Sequence, residues 1–232
     1  MSELEAVYIL HRRSWRETSL IIDIFSVSHG RMSVLARGAK RKRGMNGILQ
    51  AFQPLLMTWT GKSDLKTLTH CESTTILPAL TGQHLLSAMY VNELILKLCP
   101  QGDSLPDIFA AYGEMIVGIQ DNIQHSLRKF ELHLLHCMGW NLDFSCDDKE
   151  QEIDLKSFYT VHPIDGLHRV QQDTFRCFSG EVIQACHLFK PEITDKQKEM
   201  RNLMRTLIDF HLQGRELKTR KMGQQMMRWS KK

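Results

Sequence analysis

Residues 18–25 read Thr-Ser-Leu-Ile-Ile-Asp-Ile-Phe, and residues 32–44 read Met-Ser-Val-Leu-Ala-Arg-Gly-Ala-Lys-Arg-Lys-Arg-Gly. The first stretch is rich in β-branched residues, which suit a pleated, half-buried surface. The second opens on an alternation, Val34 and Ala36 against Ser33 and Leu35, that predicts another strand. Ser28-His29-Gly30 supplies a turn, so the two strands are expected to form a hairpin. The second strand runs straight into Arg37, Lys40, Arg41, Lys42 and Arg43, punctuated by Gly38 and Gly44. Five positive charges within seven residues at a strand end concentrate positive potential on one spot. Phosphate backbones are the commonest target of such a spot; a solvated basic loop or a localisation signal is the bland alternative.

Outward from this hairpin, residues 6–10 form a first apolar run, followed by a polar loop at 11–17. Residues 48–60 and 65–77 make a second strand pair around Gly61-Lys62-Ser63-Asp64. Five short strands without a convincing helix predict a small closed barrel, of the oligonucleotide-binding (OB) or the SH3-like kind. Tyr8, Phe25 and Phe52 are assigned to the barrel core. Trp15, flanked by Arg12, Arg13 and Arg16, is expected at the surface, where Trp15 and Arg16 could stack on bases and hold phosphates.

Beyond Pro78 the period changes. Helices are predicted over about 85–98, 106–120, 126–138 and 179–188. Another follows Thr194, which with Gln197 suggests a capping box, and a last one runs from 217 towards Trp229. The acidic run at 147–152 is expected to stay solvated, and 158–170 to form a small hairpin. Cys146, His162, His168 and Cys177 share that irregular segment, but their spacing does not suit zinc.

Composition is that of an ordinary folded chain, 42% hydrophobic and 24% charged. No apolar run approaches the roughly 18 residues of a membrane span, and the acidic N-terminus lacks a signal core, so a cytoplasmic protein is expected. Six cysteines without a C-x-x-C pair read as free thiols. Residues 1–80 carry 11 Lys/Arg against 6 Asp/Glu, residues 81–180 carry 7 against 14, and residues 181–232 carry 12 against 6. Two basic ends bracket an acidic middle. No phosphate-cradling loop, nucleophile elbow or zinc-protease motif is present, so the reading is non-enzymatic, with no catalytic residue, metal or cofactor.

Three stretches resemble one family. The first runs from Ala6-Val7-Tyr8-Ile9-Leu10 through Trp15-Arg16-Glu17-Thr18-Ser19-Leu20 and Gly30-Arg31 to Ala36-Arg37-Gly38-Ala39-Lys40-Arg41. The second is Leu127-Arg128-Lys129-Phe130-Glu131-Leu132 with Gly139-Trp140. The third is Leu217-Lys218-Thr219-Arg220. In order and spacing they are similar to the RecO family of bacterial recombination mediators over essentially the whole chain. The resemblance implies an α+β protein: an N-terminal five-stranded OB-fold barrel over 1–80, then a mainly helical domain over 81–232 with a small β-hairpin insert. It implies binding of single- and double-stranded DNA, annealing of complementary strands, and help in loading RecA onto DNA coated by the single-strand-binding protein SSB. RecR is the implied partner, with RecF in some pathways, at the nucleoid. Lys218, Arg220 and Lys221 join the expected DNA surface. The acidic, apolar-ended SSB tail is expected to dock on the 126–138 helix at Arg128, Lys129, Leu132 and Leu135. Many members carry a four-cysteine zinc module where this chain has residues 141–180 and only Cys146 and Cys177, so a metal-free remnant is expected. An OB-fold RNA binder with a helical dimerisation domain, and a helical adaptor that binds no nucleic acid, are the rival readings.

Overall fold

The computed structural model describes residues 3–41, 44–140, 142–171 and 176–229. Five strands, β1 (Glu5–Trp15), β2 (Ser19–Ser26), β3 (Gly30–Ala36), β4 (Leu55–Thr60) and β5 (Leu65–Ser73), close into a barrel in the order β1-β2-β3-β5-β4. The chain thus has the OB-fold. Alternation sends Val7, Ile9, Ile22, Ile24, Val34, Leu55 and Met57 into the barrel interior, where each is at most 1% exposed. β2 is nonetheless buried on nearly every residue. The helices α1 (Gly82–Leu98) and α2 (Pro106–Gly118) supply the reason, because α2 covers the outer face. Tyr8 stands 5.2 Å from Phe109 and 4.8 Å from Tyr112, and Phe25 stands 5.6 Å from Phe109. The expectation that Tyr8 and Phe25 fill the barrel is therefore corrected: the pleat points them outward, onto α2. Phe52 is buried, but in a turn at φ 64° rather than on a strand.

Two other strand expectations change. β1 does not end at Leu10 but continues through the polar residues to Trp15, which pairs with Ser19. A bulge at Leu10 interrupts the ladder and frees its carbonyl, which accepts a bond from Asn92 Nδ2 at 2.8 Å. Asn92 Oδ1 in turn accepts from the fully buried Tyr112 hydroxyl at 2.7 Å. Residues 48–54, expected as strand, form turns after a short 3-10 segment, Met45–Gly47.

The chain divides into two compact units, one comprising Met1–Gln120 with Leu217–Lys232, the other Asp121–Glu216. The first unit adds α6 (Lys218–Trp229), packed against α1, to the barrel, α1 and α2. The second contains α3 (Ile123–Cys137), α4 (Gly180–His187), α5 (Gln197–Leu212) and a sheet of β6 (Phe158–His162), β7 (Gly166–Val170) and β8 (Cys177–Ser179) in the order β7-β6-β8. The expected hairpin is thus present with a third strand added. α3 begins at Ile123, where the Asn122 side chain accepts from the His125 N–H at 3.0 Å. The Thr194–Gln197 capping box does not form. Lys196 takes the N-cap position, and Gln197 Nε2 reaches back to the carbonyls of Pro191 and Thr194, each at 2.8 Å. Asp147, expected in solvent, is 5% exposed, its carboxylate accepting from the N–H groups of Lys149 and Gln151, each at 3.0 Å.

Candidate nucleic-acid interface

The β1–β2 hairpin projects a strip, His11 to Trp15, that is exposed on both faces. Trp15 is 44% exposed. At the tip Arg16 adopts φ 53°, the left-handed region, and its side chain is exposed. After β3, Gly38 (φ 65°) turns the chain sharply. Ala39 is buried, and a side chain at Gly44 would collide with the Ala39 carbonyl, its Cβ only 2.3 Å away. These two glycines pinch the basic loop, leaving Arg37, Lys40 and Arg41 exposed.

Hydrogen bonds donated by two backbone N–H groups join the two features. The Lys40 N–H donates to the Thr18 carbonyl at 2.9 Å, and the Gly38 N–H to the Ser19 hydroxyl oxygen at 3.4 Å. The basic loop is thereby held against the hairpin tip. Arg12, Arg13, Trp15, Arg16, Arg37, Lys40 and Arg41 gather at one end of the barrel. Arg12 is tied down by its Nη1, which donates to the Leu49 carbonyl at 2.8 Å. Arg13, Arg16, Arg37, Lys40 and Arg41 are in no ion pair with a described residue. Lys42 and Arg43, the remaining cations of the loop, lie outside the described residues. An exposed indole among uncompensated cations can hold backbone phosphates and stack a base.

The Leu-Lys-Thr-Arg stretch sits elsewhere in the first unit. Leu217 is buried, and the N–H groups of Lys218 and Thr219 donate to the Glu93 carboxylate at 2.9 and 3.0 Å. The Thr219 hydroxyl adds a third bond at 2.8 Å. Arg220 lies with its guanidinium 5.7 Å from the centre of the Tyr90 ring. Lys218 and Lys221 are exposed. This motif therefore caps α6 and docks it on α1. Glu93 was not legible as its partner, being more than a hundred residues away.

In the second unit, Arg128 is not the surface cation that was expected. It is 6% exposed, and its Nη2 donates to Glu131 Oε1 at 2.8 Å, with its Nε 2.7 Å from Glu131 Oε2. The spacing i, i+3 on one helix was the signal for this pair. Lys129 is exposed on the adjoining turn. Leu132 and Leu135 line a cavity of about 410 Å³ together with Phe144, Phe189, His136 and His187. Phe189 lies edge-on to His133 and His136, at 5.4 and 5.3 Å.

Two buried thiols are held in the protonated form. Burial pushes the Cys71 thiol up to about 11, with Glu72 adding to it, and the Cys186 thiol up to about 12, against the pull of Arg128. Cys146 donates to Asp143, His162 pairs with Asp165 and His168 with Asp148. Among the described residues no group of three or more His, Cys, Asp or Glu side chains is placed to hold a metal ion. None of the described helices is long and apolar enough to cross a membrane.

Comparison with known proteins decides the family. The family model described as recombination protein O N terminal matches residues 1–77, and that described as recombination protein O C terminal matches residues 80–221. The chain belongs to the RecO family. It is 36% identical over 227 residues to the DNA repair protein RecO of Marinobacter nauticus, covering 93% of this chain and 92% of that one. It is 34% identical to the DNA repair protein RecO of Methylococcus capsulatus, covering 94% and 92%, and 34% identical to that of Aliivibrio fischeri, covering 94% of each. The signature around Arg37 that suggested RecO is the loop pinned to the Trp15 hairpin. The other two RecO stretches carry the Arg128–Glu131 pair and the Glu93-capped helix start.

Proposed function

We propose that the chain is a DNA-binding mediator of recombinational repair, working at the nucleoid in the cytoplasm. It binds single- and double-stranded DNA through the hairpin and basic loop, anneals complementary strands and helps load RecA onto SSB-coated DNA. The observation that carries this reading is the hydrogen-bonded convergence of Trp15, Arg16, Arg37, Lys40 and Arg41; in sequence Lys42 and Arg43, which we also assign to DNA, follow directly. Annealing brings two polyanions together, so it needs their repulsion screened at short range and no covalent chemistry. No catalytic residue and no cofactor is assigned. Residues 1–80 form the nucleic-acid-binding domain. Residues 81–232 are the helical domain, with 141–180 the counterpart of the family's zinc module. Lys218, Arg220 and Lys221 extend the DNA surface. RecR, and in some pathways RecF, are the protein partners.

The SSB tail docks on α3. Its apolar terminal side chain enters the cavity beside Leu132 and Leu135, while Lys129 meets its negative charge. Arg128 acts through Glu131 to hold that face of the helix. Lys129→Glu should weaken binding of a labelled tail peptide about ten-fold by anisotropy. Unchanged affinity would move the dock off α3.

The reading as a whole is tested by strand annealing. Lys40→Glu with Arg41→Glu should slow the annealing of complementary oligonucleotides by about ten-fold or more while the circular dichroism spectrum is unchanged. Wild-type rates in a folded double variant would sink it, and tighter binding of RNA than of DNA would favour an RNA-binding role.

A further inference from the structure

A second concavity lies on the barrel in the first unit, away from the hairpin. It has a volume of about 590 Å³, within the range of small-ligand sites, and is lined by His29, Met32, Trp59, Asp64, Lys66 and Gly102, among others. A bulge between Thr58 and Trp59 shifts the β4–β5 register, so that Trp59 faces Leu68 and Thr69 is left over. The indole is half-buried, with one side packed on the barrel core. His29 stands edge-on to it, ring centres 5.4 Å apart, and Met32 contributes an apolar floor.

The far wall is held in place before any ligand arrives. The Gly102 N–H donates to the Arg31 carbonyl at 2.9 Å, and Arg31 Nε donates to the Cys99 carbonyl at 3.2 Å. Ser104 Oγ donates to the Val27 carbonyl at 3.0 Å. Gly30 is so close to this loop that an added Cβ would lie 1.7 Å from the Asp103 carbonyl oxygen, so only glycine fits. At Gly102 an added Cβ would meet open space, so this wall is bare backbone.

We propose that this concavity is a nucleobase subsite. It takes one unpaired base of a single-stranded DNA, stacked on the open face of the Trp59 indole beside the edge-on His29 ring, with the adjoining phosphate on Lys66. Asp64 accepts from an exocyclic amine of the base. The chemistry is selective in kind: an open indole face suits a π-face, the cation suits a phosphate, and the acceptor suits an amino group. A base inside a duplex is stacked on both sides and cannot enter. The subsite distinguishes single from double strands, which phosphate contacts by themselves cannot do. β3 links the two places, since Met32 and Arg37 are five residues apart, about 16 Å along an extended strand. One DNA strand can therefore run from the basic loop to the subsite.

The inference rests on the DNA-binding reading above, and the test separates the two. Affinity is measured for an oligodeoxycytidine and for a duplex of equal length, with the full chain and with Trp59→Leu. The subsite predicts about ten-fold weaker single-strand binding in the variant and duplex binding within two-fold of wild type. Equal losses on both substrates, or no loss, would overturn the subsite alone. Absence of DNA binding by the wild type would overturn the DNA reading itself. Because Trp59 also touches the core, a second measurement uses the unaltered protein: an oligonucleotide carrying 5-iododeoxycytidine is photocrosslinked to it and the attachment mapped. Attachment within residues 29–32 or at Trp59 supports the subsite; attachment confined to the Trp15 hairpin overturns it.

Discussion

At the scale of single residues, the first consequence concerns Arg128. Removing one member of a buried ion pair strands the other charge in a low-dielectric interior, typically at a cost of about 3–5 kcal/mol. Arg128→Ala should lower the stability of the second unit by about that much in urea unfolding, because Glu131 is 1% exposed. Arg128→Met combined with Glu131→Leu should recover most of the loss. A loss below about 1 kcal/mol for the single change would mean that the pair is not desolvated. The position also shows how far sequence reading reaches. Arg-Lys on a helix looks like a solvated pair, and only Glu131 three residues on hints that the arginine turns inward. Lys129, by contrast, is exposed as expected. Tyr8 and Phe25 were misplaced for a related reason: alternation says which residues share a face, but not that a helix covers the second face.

At the scale of elements, α6 is fixed by charge at its first turn. Burial favours the neutral acid at Glu93, but the N–H groups of Thr219 and Lys218 and the Thr219 hydroxyl outweigh it, and Lys97 assists. The pKa therefore lies below the ordinary glutamate value. A group whose folded pKa is depressed contributes stability above its unfolded pKa, near 4.5, and loses that contribution as the pH falls through the lower folded value. The helix should thus be held firmly at neutral pH and loosen in acid. Glu93→Gln should lower Tm at about pH 6, and the gap to wild type should narrow as the pH is taken to about 3. A gap independent of pH would mean that the carboxylate charge plays no part. Elements whose own residues carry a period were legible: the barrel strands, α1, α2 and the 158–170 hairpin. The continuation of β1 through His11–Trp15 was not, because a strand exposed on both faces needs no alternation and its ladder is backbone alone. The turns over 48–54 carry the apolar content of a strand without its pairing, so composition alone does not separate the two.

At the scale of the whole molecule, the fold sorts charge more sharply than the sequence does. Bringing Leu217–Lys232 back beside Met1–Gln120 gives that unit 18 Lys/Arg against 10 Asp/Glu, while Asp121–Glu216 carries 12 against 16. Long-range attraction of a polyanion is thereby directed to the unit that holds the barrel. The five-cation loop was legible as a run of charge. Its union with Trp15 was not, since it rests on one bond between backbone groups and one from a backbone N–H to the Ser19 hydroxyl, and neither leaves a periodic mark in the sequence. The DNA-binding role stands or falls with that union, and the dependence of single-strand affinity on salt is its sharpest test. Each phosphate that the protein no longer neutralises should flatten the plot of log K against log salt by about 0.7. Lys40→Glu with Arg41→Glu should therefore give a slope shallower by about 1.4, together with weaker binding throughout the salt range. A slope and affinity equal to those of the wild type, in a variant that folds normally, would refute the assignment of this loop to DNA.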